Sequence, residues 1–385
     1  MTPTPPPPAG RRQVLAGLAG ALGAAAAAPA QAAFDPALFD IRRYVYIPSA
    51  TTPDVTVIDA DTGRIVPSLQ TDMIARQVVV DRATAKLIAT DAASATVSLV
   101  DVFAGTIRKL ALPAPAERLT VGISGRLAAA SDLAGGTITL IDLNDGRVDT
   151  VIAGLPRLRD VMFGAQDTVL YIAAESLDGI GVIDVANARL SHQVATFQPT
   201  RAGVGALART PNGRQILAQP QGGGPISVLD PEQGKPVAQL AAGPGAAGMF
   251  PSGTGTFLLV PDNDEATLSV FRTEHLENPV ALPGAAGMIG VYTAWLDSVA
   301  FVPSAAGSRL LIYDLDALRP AGEIALAGPP LRGAVTPDSR TLYLPVRDPP
   351  CVVAVDGASR TVSARFDLAS PPLAALVAGG WGICH

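Results

Sequence analysis

Eight times along the chain a short run of alternating apolar residues ends in a polar one. The runs are residues 55–59, 97–101, 138–142, 180–184, 226–230, 268–272, 310–314 and 352–356. Their last residues lie 42, 41, 42, 46, 42, 42 and 42 positions apart, and all are aspartate except Arg272. Runs such as Val55-Thr56-Val57-Ile58-Asp59 alternate with a period of two and are rich in β-branched residues, which marks strands. The aspartate suits a tight turn capped by its own side chain, and Gly63, Gly105 and Gly146 follow a few residues later. Each turn leads to another short strand, as at 64–69 and 106–112. A linker carrying Pro or Gly then enters an apolar innermost strand and one more, as at 77–80 and 86–90.

Four strands in each repeat, with no helical period between them, predict an all-β chain of propeller blades. Eight repeats predict an eight-bladed β-propeller of four-stranded antiparallel blades. Seven is the alternative if the sixth unit fails, since Arg272 replaces the aspartate and Glu277-Asn278 stands for the usual turn. Blade 1 has only three strands at its N-terminal side: 44–49, 55–59 and 64–69. Its innermost strand is expected from 373–378, so that the N- and C-terminal strands close the ring and leave no open edge.

Residues 1–32 stand apart from this pattern. Gly10-Arg11-Arg12-Gln13-Val14-Leu15 precedes an uncharged Ala/Gly/Leu stretch, and Ala30-Gln31-Ala32 offers a small-x-small cleavage site before Ala33. The paired arginines resemble a twin-arginine (Tat) export signal; a Sec signal that happens to hold two arginines is the other reading. The expectation is a signal over 1–32, a single propeller domain over 33–385 and a periplasmic location. Losing Arg11 and Arg12 with the signal leaves 26 basic against 34 acidic residues, a formal net of −8. That balance argues against a nucleic-acid or anionic-membrane partner. No later stretch is apolar for long enough to predict a membrane span.

Tyr44-Val45-Tyr46-Ile47-Pro48 before Val55-Thr56-Val57-Ile58-Asp59, and Arg332-Gly333-Ala334-Val335-Thr336-Pro337-Asp338, resemble the YVTN-type propeller repeat. That repeat covers essentially all of 33–385 and is specific for fold more than for function. The d1-haem-binding domain of cytochrome cd1 nitrite reductase and its relative in d1-haem biosynthesis are similar eight-bladed propellers. Amine dehydrogenase large subunits are seven-bladed ones. The histidines that ligate haem iron in the cd1 relatives have no counterpart that can be placed in this sequence, so the resemblance does not extend to iron ligation.

Propellers bind ligands where the central channel opens on the face that bears the linkers into the innermost strands. Arg76, Arg118, Arg159 and Arg332 fall just before the innermost strands of blades 2, 3, 4 and 8. Arg201 lies in the longer linker of blade 5, and Arg157 adds a second charge in blade 4. Blades 6 and 7 carry Ala246-Ala247-Gly248-Met249 and Ala286-Gly287-Met288-Ile289 there, and blade 7 adds Tyr292 and Trp295. A crescent of guanidinium groups facing an apolar, partly aromatic wall suits a planar ligand with several carboxylates, a tetrapyrrole or a quinone cofactor. The competing structural reading pairs these arginines with carboxylates such as Glu117 or Asp160.

Other motifs carry less. His192 and His275 read as surface residues, and Trp295 and Trp381 also suit packing. Cys384-His385 holds soft-metal ligand types, and a Cys351–Cys384 disulfide is the alternative. Gly222-Gly223-Gly224 lacks the following helix of a phosphate cradle. Asp262-Asn263-Asp264-Glu265 lacks the glycine and distal glutamate of a calcium loop and reads as an exposed turn. No metal site and no Ser/His/Asp set stands out. The leading expectation is a propeller that binds or matures an anionic planar redox cofactor. The alternatives are a non-catalytic scaffold for a periplasmic redox or transport system, and an amine-dehydrogenase-like subunit.

Overall fold

The computed structural model describes residues 40–164, 166–197, 203–210 and 212–380, together with Met1. The expected signal at 2–32, and Arg201, Trp381, Cys384 and His385, lie outside the described residues. Eight separate four-stranded antiparallel sheets follow one another, so the sequence period is the blade. No helix among the described residues is long and apolar enough to cross a membrane.

The innermost strands of blades 2 to 8 are Ala75–Asp81, Arg118–Val121, Leu158–Phe163, Val204–Arg209, Phe250–Pro251, Tyr292–Ala294 and Ala334–Val335. Blade 1 is assembled from both parts of the sequence. Its Tyr44–Pro48, Asp54–Asp59 and Arg64–Gln70 are completed by Leu376–Val377. Val45 pairs with Val377 and Tyr46 with Leu376, while Leu373 N–H donates to Pro48 O at 2.8 Å and extends the seam. The ring closure expected from the sequence is therefore present.

Period-two alternation explains how blades pack. In the second strand of blade 2, Lys86–Asp91, Leu87 and Ala89 face blade 1 alongside Tyr46, Val55 and Val57. Ile88, between them, faces blade 3 alongside Leu119 and Ala128. Eight apolar clusters result, one at each junction between neighbouring blades. The outer strands, which have no such sandwich, are mostly exposed, as Arg319–Ala325 shows.

The repeated aspartates do what their position suggests. Asp142 accepts the Asn144 and Asp145 N–H groups at 2.9 and 3.0 Å, and Asp101 and Asp230 make the same pair of bonds in their own blades. Blade 6 is a true blade, which excludes the seven-bladed alternative, but its turn differs from the expected one. Arg272 pairs directly with His275 across a two-residue hairpin at Thr273-Glu274, so no aspartate cap is needed. Glu277, Asn278 and His275 lie within the strand His275–Pro283 instead of in a turn. Asp262-Asn263-Asp264-Glu265 is also more than an exposed turn. Asp262 is buried, and Asn263 exchanges two hydrogen bonds with the Met288 backbone of blade 7.

The turn aspartates make stability depend on acid. The backbone N–H of Asp145 holds Asp142 below the ordinary carboxylate range against opposing burial, and Ala317 and Ser359 N–H do so for Asp314 and Asp356. A folded-state pKa below the unfolded value gives stabilisation that is complete above the unfolded carboxylate pKa and is lost as pH falls through the lowered folded-state pKa. Asp142→Ala should cost about 1 kcal/mol at neutral pH, the worth of a typical net hydrogen bond. In urea melts the gap between wild type and variant should close as pH falls through the lowered folded-state pKa of Asp142.

Candidate functional site

All eight innermost strands converge on a cavity of about 440 Å³ at the linker end of the central channel. Its polar lining comes from Arg118, Asp160, Tyr292 and Arg332, and its apolar wall includes Met249, Phe250, Ile289 and Val291. The expected opposition of guanidinium groups and an apolar wall is thus present, with fewer arginines than the linkers suggested.

The backbone explains which arginines arrive. The innermost strands of blades 2, 4 and 5 each carry a register shift that sets Arg76, Arg159 and Gly205 out of the pairing. A bulge adds one residue and redirects the side chains around it. The true structural equivalents in blades 2 to 5 are Gln77, Arg118, Asp160 and Ala206, which lie opposite Thr90, Ser131, Ala173 and Gln219. Carrying the register of the other blades to the same level, opposite Pro261, Pro303, Pro345 and Pro48, gives Gly248, Gly290, Arg332 and Ala374. The Ala375 N–H to Arg332 O bond at 2.9 Å supports this assignment. One tier around the axis is therefore polar in blades 8, 2, 3 and 4 and small in blades 1, 5, 6 and 7.

Arg76 and Arg159 consequently stay at the rim. Arg76 reaches Glu117 at 3.5 Å, and Arg157 and Arg159 share Glu175 at 3.7 and 3.4 Å. With Gln221, the second and third of these arginines line a separate open groove over blades 3 to 5. Of the four expected arginines among the described residues, two, Arg118 and Arg332, line the channel, and Arg201 lies outside the described residues. Trp295 also leaves the site. It sits in the turn between Tyr292–Ala294 and Val299–Ser304, at the far end of the innermost strand from the linker. There Trp295, Leu296 and Asp297 have φ of 50, 53 and 66°, held in this left-handed form by Ser339 and by the Asp297 contacts to Gly253 and Thr254 N–H.

Asp160, expected only as an arginine partner in the competing structural reading, does pair with Arg118, as Glu117 does with Arg76, and it also lines the cavity. Its Oδ1 meets Arg118 Nη2 at 2.8 Å and accepts Val161 N–H at 2.9 Å, and its Oδ2 accepts Leu207 N–H at 2.9 Å. One carboxylate thus joins blades 3, 4 and 5. Burial pushes its carboxyl above the ordinary range, against the pull of Arg118. Gln77 acts similarly one blade earlier, bonding the N–H and C=O of Leu119 at 2.8 and 3.1 Å. Across the cavity, Tyr292 Oη accepts Gly333 N–H at 2.8 Å, and burial raises its phenol pKa against the influence of Arg332. No cluster of three or more metal-ligating side chains occurs among the described residues. Cys351 is buried, and burial raises its thiol pKa.

Neither protein-family models nor curated proteins match the sequence. Solved structures do. The dihydro-haem d1 dehydrogenase NirN, in complex with DHE, superposes with a TM-score of 0.75 at 16% identity, over 91% of this chain and 78% of that one. In fold, the chain is a cd1-like eight-bladed β-propeller. Apo AztD from Citrobacter koseri gives a TM-score of 0.66 at 12% identity, over 88% of this chain and 98% of that one. Hydrazine synthase from Kuenenia stuttgartiensis gives 0.54 at 14% identity, over 77% and 96%. At such identities these likenesses speak to the architecture of this propeller, and the cavity speaks for itself.

Asp160→Ala should leave the Val161 and Leu207 N–H groups unpartnered. The expected cost is about 2–6 kcal/mol, since each of the two stranded buried donors costs about 1–3 kcal/mol. Asp160→Asn, which keeps an acceptor, should cost less. Chemical denaturation of the three proteins measures both.

Proposed function

We propose that this propeller binds a planar, acid-bearing redox cofactor, tetrapyrrole- or quinone-like, in the cavity at the linker end of its channel. The observation that carries the reading is the divided tier. Arg118 and Arg332 supply charged donors on one side, while Ala206 and Gly248 leave room before Met249, Phe250, Ile289 and Val291 on the other. A flat ring suits the apolar side, and its acid groups suit guanidinium donors. That NirN was solved with DHE bound adds support for the ligand class. The setting we propose is the periplasm, reached through the twin-arginine segment at Arg11-Arg12.

Titration with protoporphyrin IX and with an anthraquinone carboxylate, followed by absorbance, tests the binding. Arg332→Glu should weaken it by at least about tenfold, the worth of one charge-assisted hydrogen bond, and Arg118→Glu should weaken it by setting a second carboxylate beside Asp160 in the cavity wall. Arg76→Gln at the rim should change it little. Unchanged affinity in both channel reversals would end the reading. For the location, cell fractionation should show Arg11→Lys with Arg12→Lys trapping the protein in the cytoplasm.

A further inference from the structure

The two channel arginines differ in what surrounds them. Arg118 is committed: Asp160 faces it at 2.8 Å, and that carboxylate is itself pinned by two backbone N–H groups. Arg118 and the two N–H donors favour the ionised carboxylate against the burial that opposes it, so the two side chains form a neutral pair built into the wall. Arg332 has no carboxylate within ion-pair distance among the described residues. The ionisable lining at neutral pH therefore sums to one positive charge, and that charge sits in blade 8.

Tyr292 of blade 7 stands beside it. Its oxygen receives Gly333 N–H at 2.8 Å, from the residue that follows Arg332. That bond occupies the acceptor side of the phenol, and its own O–H donates to none of the described residues. Gly290 keeps the approach to this hydroxyl clear, because a Cβ there would stand 3.3 Å from the Tyr292 oxygen. Burial keeps the phenol protonated. The guanidinium and the free phenol O–H then offer mainly donors at one edge of the cavity.

Resting on the cofactor reading above, we propose that Arg332 and Tyr292 form a single-anion subsite that selects a flat ring bearing one essential carboxylate. Arg118 and Asp160 form a neutral polar shoulder beside the ring and do not clamp a second acid. Charge at the subsite is answered once, so a second acid group on the ligand gains little and a ligand with none forfeits the charge-assisted bond.

Protoporphyrin IX, its monomethyl ester and its dimethyl ester test this on the wild-type protein by fluorescence titration. The diacid and monoester should bind within about threefold of each other, and the diester about ten- to a hundredfold more weakly, as loss of one charged hydrogen bond requires. Arg332→Gln should abolish the difference between monoester and diester. Tyr292→Phe should shrink that difference, whereas a purely structural role for the phenol would weaken both esters equally and so remove Tyr292 from the subsite. Equal losses at each esterification would overturn the single-anion subsite and leave the cofactor reading standing, as would an ester difference that survives Arg332→Gln. Failure of all three porphyrins to bind the wild-type protein would overturn the subsite for porphyrin rings, and failure of the anthraquinone carboxylate as well would overturn the cofactor reading.

Discussion

Each blade of this protein is a sheet with two apolar faces, and neither face can be left to water. Leu87 and Ala89 point one way and Ile88 the other, so a single strand serves two junctions at once. A stack of such sheets has only one arrangement without an unburied face: a ring in which the last meets the first. The eight junction clusters, the borrowed strand of blade 1 and the central channel all follow from that requirement. The channel is the place where inner strands splay around an axis, and its chemistry is whatever eight equivalent positions happen to hold.

That reduction makes the candidate site a property of one tier of residues. Gln77, Arg118 and Asp160 each reach toward the following blade, to Leu119, Asp160 and Leu207 respectively. Side chains that stitch blades together on one arc are thus the same ones that give the cavity its polarity. On the other arc, Ala206, Gly248 and Gly290 do no stitching and yield space. A substitution that enlarges the cavity's polar side therefore also loosens the wall, and binding and stability are coupled there.

The fold was legible because its signal is repeated. Alternation, the turn aspartates and constant spacing marked the blades, including the strand near residue 376 that closes the ring. Blade 6 was readable as a blade only with its full spacing, because its two-residue hairpin dispenses with the aspartate. The site was legible in part. Arg118, Arg332, Tyr292 and the apolar segments around Met249 and Ile289 were read from the linkers, whereas Arg76, Arg159 and Trp295 were misplaced. For the two arginines the reason is a single inserted residue in each strand, which no composition reveals. Counting from the turn residues at the ends of the third strands would have helped: Gln77, Asp160, Gly248, Gly290, Arg332 and Ala374 all lie 18 positions beyond one. Trp295 shares a short strand's neighbourhood with Tyr292, yet three-residue strands end quickly, and it falls past the turn.

The order in which the polypeptide is made gives the borrowed strand a further meaning. Leu376–Val377 completes the blade that begins at Tyr44, so the first sheet started during synthesis is the last one finished. Until those residues leave the ribosome, blade 1 has no inner strand, and its junction with blade 8, where Val45, Ile47 and Ile58 meet Tyr343 and Val352, lacks Ala375 and Val377. A shut ring therefore forms only after Leu376 and Val377 have been made, which places the seam between the two ends of the propeller among the last contacts to form.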